Sequence, residues 1–108
     1  MRATITLLIV LASVAACGQE SRRPAFDGKF FRASASKNGD SRADFAVKVR
    51  PVSASLEGAI EAGRYEATRY CVKLFGTSDI DWAVGPDQDP ETLVVANDTL
   101  NFSGVCNE

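Results

Sequence analysis

Between Ser55 and Gly76 the chain carries one long helical period, with short alternating runs on both sides of it. A lone helix cannot bury its own apolar stripe, so the flanking runs must supply the surface it packs on. Leu56, Ile60, Gly63, Ala67, Tyr70 and Leu74 recur at spacings of four and three, which predicts that they form the buried stripe of a helix ending near Leu74. Ser55 suits the N-cap and Gly76 the stop. Glu57 and Glu61 near the start, and Arg69 and Lys73 near the end, match the helix dipole. Gly58 and Gly63 each cost up to about 1 kcal/mol inside a helix. The small Gly63 and Ala67 predict a close approach to a sheet.

The flanking runs read as strands. Phe45, Val47 and Val49 alternate with Asp44, Ala46, Lys48 and Arg50, the period of a strand with one buried face. A first strand is expected over Lys29 to Ala35, joined to it through Asn38-Gly39, a dipeptide suited to tight hairpins. After the helix, Ile80, Trp82 and Val84 form another alternating run, Gly85 to Glu91 is a loop, and Leu93-Val94-Val95 and Leu100 to Ser103 flank a second hairpin turn. The order β-β-α-β-β-β predicts an α+β fold, a mainly antiparallel sheet with one helix on one face.

The N-terminus reads as an address. Met1-Arg2 precedes an apolar run from Ile5 to Val14, too short for the roughly 20 residues a spanning helix needs. It has the form of an export signal. Val14-Ala15-Ala16-Cys17 then resembles the lipobox of bacterial lipoproteins: an aliphatic residue, small residues and an invariant Cys. The resemblance covers the signal region alone. It implies a diacylglycerol thioether on Cys17, cleavage before it and acylation of the new amino terminus, with palmitate the usual chain. Two or more acyl chains hold a protein stably on a bilayer where one does not. In lipoprotein sorting a residue other than Asp after the Cys, here Gly18, implies the outer membrane, on its periplasmic side. The alternative is an ordinary signal cut after Ala15, which leaves a soluble exported protein. The expected organisation is a signal peptide over 1–16, a lipidated Cys and tether over 17–25, and one small domain over 26–108.

Two further cysteines, Cys71 and Cys106, remain in an exported chain, and an even count in an oxidising compartment reads as a disulfide. Redox pairs need closer spacing and structural zinc needs four ligands. Cys71 lies beside the helical stripe and Cys106 after the last strand, so the bond is expected to pin helix to sheet.

Among 108 residues there is no His, which removes the usual triads and the common zinc ligand. The sequence points to no metal and no cofactor. Asp87-Gln88-Asp89-Pro90-Glu91 starts like a calcium loop but lacks its Gly and final Glu, and reads as a surface turn. Asp79 and Asp81 share one strand face, the single arrangement open to carboxylate catalysis, with nothing in the sequence to supply a cleft. Residues 18–54 hold eight basic and four acidic groups (+4), and residues 55–108 three and ten (−7). This balance argues against nucleic acid. It leaves two readings: a basic end toward anionic lipid with an acidic end toward a partner, or signs mixed across the sheet as plain solvated surface.

Tyr65, Arg69 and Val72 fall opposite the expected stripe, together with Gly58 and Ala62. Tyr and Arg dominate interface hot spots, so this face is the candidate partner surface. The expectation is a binding or envelope-assembly module that is not an enzyme, partnered by the bilayer through Cys17 and by an envelope protein. A small hydrolase using Asp79 and Asp81, or a soluble exported inhibitor or ligand carrier, are the alternatives.

Overall fold

The computed structural model describes residues 24–108. The signal peptide, Cys17 and the tether as far as Arg23 lie outside the described residues. The elements run β1 (Arg32–Lys37), β2 (Asp44–Arg50), α1 (Leu56–Phe75), β3 (Ile80–Val84), β4 (Val94–Ala96) and β5 (Thr99–Cys106). The fold is α+β as expected: α1 covers one face of a five-stranded antiparallel sheet in the order β1-β2-β5-β3, with β4 also pairing β5. Among the described residues no helix is long and apolar enough to cross a membrane.

Alternation places Phe45, Val47 and Val49 of β2, and Leu100 and Phe102 of β5, on the covered face, where all five are buried. Trp82 meets Phe45 and Phe102 edge-on, with centroids 5.8 and 5.7 Å away, and closes the core at β3. The expected disulfide is present: Cys71 of α1 is bonded to Cys106 at the end of β5, their Cα atoms 5.5 Å apart. Closing such a loop is worth about 4 kcal/mol by chain entropy.

Helix boundaries follow their signals. Ser55 Oγ accepts from the Gly58 amide at 2.9 Å, and Gly76 ends α1 in the left-handed region at φ 70°. The buried stripe differs from expectation. Leu56 and Leu74 are exposed and Ile60 and Tyr70 half-buried, while Ala59, Ala62, Gly63, Ala67 and Cys71 are buried, as is Gly58 against Phe26 and Phe31. The helix lies so near the sheet that only small side chains fit beneath it. A Cβ on Gly63 would stand 2.5 Å from the Phe102 ring. Gly63 and Ala67 do make the predicted close approach, and the large apolar residues flank the contact.

Two strand boundaries also shift. β1 starts at Arg32, not Lys29, because Phe26 and Lys29 pair with each other across a turn in which Asp27 and Gly28 both take positive φ. Asn38-Gly39 belongs to a longer connection over 38–43 and does not form a two-residue hairpin. The second hairpin is the tight one: Asn97 and Asp98 have φ of 53° and 60°, the primed turn that suits strand twist.

Candidate functional site

The turn at 26–29 builds the site. The Asp27 carboxylate accepts a 2.6 Å hydrogen bond from Ser55 Oγ, which fastens the turn to the start of α1. Gly58 lets it close in, since a Cβ there would stand 2.7 Å from the Phe26 carbonyl oxygen. Phe26 is thereby held over Tyr65, ring centroids 5.6 Å apart. Between this aromatic wall and β1 runs an open groove of about 440 Å³. Phe31, Ala33 and Ala62 give it apolar lining, and Arg32, Glu66 and Arg69 its charged groups. Glu66 lies 3.4 Å from Arg69, which remains 60% exposed and so available at the rim.

Of the three residues expected on the partner surface, Tyr65 and Arg69 line this groove. Val72 is exposed farther along α1 and is not among the lining residues. Gly58 and Ala62 do not belong to an outer face: both are buried, because the true sheet-facing stripe is rotated toward them. The groove contributes what the helix period could not reveal, namely Phe26 and Phe31 from the N-terminal turn and Arg32 and Ala33 from β1.

β1 is an edge strand. Among the described residues it pairs with β2 alone, and its first two residues, Arg32 and Ala33, line the groove. A strand added there would complete the ladder and direct alternate side chains into the groove.

Asp79 and Asp81 sit elsewhere. Both are exposed, and Asp79 accepts a 3.0 Å hydrogen bond from Asn107 Nδ2. Neither lines the groove. The acidic loop has structural partners of its own. Asp87 takes a 2.9 Å ion pair from Arg64, whose hydrogen bond and charge hold its carboxyl below the ordinary value. Asp89 caps the short turn at Pro90–Thr92. Gln88 accepts from the Gly85 amide and donates to Thr92 Oγ1 at 2.8 Å. Among the described residues no cluster of three potential metal ligands forms.

Neither a family model, nor a curated protein, nor a solved structure matches the chain.

Proposed function

We propose that this chain is a lipid-anchored bacterial envelope protein, acylated at Cys17, whose domain is a binding or assembly module working through the groove between α1 and β1. The groove carries the reading. It joins a preformed aromatic pair, Phe26 and Tyr65, to an open strand edge and two arginines, Arg32 and Arg69. These parts suit an extended segment of an envelope protein, which would gain main-chain bonds from β1 and anchor an apolar and an acidic side chain in the groove. Gly18 favours the periplasmic side of the outer membrane as the location. The exposed setting of Asp79 and Asp81, away from the groove, favours a module over a hydrolase.

Fatty-acid labelling tests the anchor. Wild-type chain is expected to take label and Cys17→Ala to lose it; label retained on the variant would overturn acylation at that position. A photocrosslinker at position 65 tests the groove in intact envelopes, against the same group at position 103. Capture of one discrete protein from 65, abolished by Arg69→Glu, is the expected result. Equal capture from both positions would remove the groove from the reading.

A further inference from the structure

The sheet face turned away from α1 carries a segregated charge pattern. Strand register decides it. On that face Arg32 stands directly opposite Arg50, and Ser34 opposite Lys48, which in turn faces Asn101. Six residues along β2, about 20 Å at strand rise, Asp44 faces Val105, and Val105 faces Asp81. Neighbouring strands therefore do not mix the signs here. The face runs from a cationic end to an acidic one.

Asp98 lies beside the cationic end but pairs with none of its cations. Among the described residues, none of Arg32, Lys48 and Arg50 makes an ion pair. The nearby Asp98 is engaged, accepting from the Ser53 amide at 2.7 Å and its hydroxyl at 2.8 Å. Like charges directly across a ladder oppose folding, so this cluster is not explained by stability. Phe30, 61% exposed, lines a shallow depression with Arg32, Arg50 and Pro51. Pro24, the first described residue, lines the partner groove beside Arg32, at the edge of this cationic end.

We infer that Arg32, Lys48, Arg50 and Phe30 form a second surface, meeting the partner groove at Arg32, that docks on anionic phospholipid headgroups. Three clustered cations complement a negative bilayer surface, and an exposed aromatic ring beside them can enter its headgroup layer. This orientation rests on the anchored reading. From Cys17 to Pro24 is seven residues, a reach of at most about 25 Å, so an acylated Cys17 keeps the whole face within range of the bilayer, and attraction of the cations turns that end toward it and Asp44 and Asp81 away. Docking fixes how the partner groove is presented.

The test uses the processed full chain with vesicles of phosphatidylcholine alone or mixed 3:1 with phosphatidylglycerol, each carrying a trace photoactivatable lipid. Flotation on phosphatidylcholine reports the anchor; the position of lipid adducts reports the docking surface. Adducts are expected at residues 30–32 and 48–50, only with phosphatidylglycerol, falling about fivefold for each cation removed and fading with added salt. Arg32→Glu/Lys48→Glu/Arg50→Glu should lose them while still floating, and the milder Arg32→Gln/Arg50→Gln should lose most. Adducts spread evenly over the domain, or centred on Asp81, would overturn docking and leave the anchor standing. Chain that fails to float on phosphatidylcholine yet binds phosphatidylglycerol through these residues would remove the anchor and keep the surface. Crosslinks from Lys48 to Asp81 between two chains would give the face to a second copy and overturn the inference.

Discussion

The two faces of the one sheet obey different rules. Toward α1, every large position is chosen for fit: Phe45, Val47, Val49, Leu100 and Phe102 are buried, and the helix opposite answers with Ala, Gly and Cys. Away from α1, the same strands carry Ser34, Ser36, Lys48, Arg50, Asn101 and Ser103, with two arginines face to face. Sites that depart from what stability would select are where function is best sought. The covered face tells how the domain holds together, and the open face carries a charge arrangement that packing does not require.

If that contrast is right, damage should scale with depth on the covered face. Replacing both Cys71 and Cys106 by Ser should cost about 4 kcal/mol of unfolding free energy, read from urea denaturation; an unchanged midpoint would mean the helix needs no staple. Next comes Gly63→Ala. Alanine is the better helix former by up to about 1 kcal/mol, yet its Cβ would sit 2.5 Å from Phe102. Overpacking of that kind costs about 1–3 kcal/mol, so a net loss is expected, and a rise in Tm would show that the helix can lift off the sheet. Ser55→Ala removes an N-cap worth about 1 kcal/mol. It also frees Asp27, so amide exchange should quicken at 26–29 as well as in the first turn of α1.

These residues also mark how far the sequence could be read. Element order, the α+β class, the helix caps and the disulfide were legible because each depends on local period or on a cysteine count. The buried stripe was not. Leu56 and Leu74 draw the eye by hydropathy, but how close a helix sits to its sheet is a tertiary fact, and that closeness selected Ala59, Ala62 and Ala67. Tyr65 and Arg69 could be singled out by residue type. Phe26 could not be joined to them, because the turn that folds it back competes with extending β1 toward Lys29. The cationic cluster was half visible, with Lys48 and Arg50 on the polar side of β2. Adding Arg32 required the register of β1, which no single-strand pattern contains.

The smallest predicted effect has the opposite sign from all the others. Arg32 and Arg50 occupy directly paired positions, where side chains approach to about 5 Å and like charges destabilise by a few tenths to about 1 kcal/mol. Arg32→Gln keeps length and polarity while removing one charge, so it should raise the unfolding free energy slightly. Arg32→Lys keeps the charge and should not. The gain should shrink as salt rises, because an exposed pair is screened within about 10 Å at 0.1 M. It should also vanish in an Arg50→Gln background, where no repulsion is left to relieve, and a double-mutant cycle in urea measures that difference directly. A gain that persists at high salt or in that background would trace to strand propensity instead of charge. The arginine pair would then be ordinary surface, and the contrast between the two faces would lose its sharpest point.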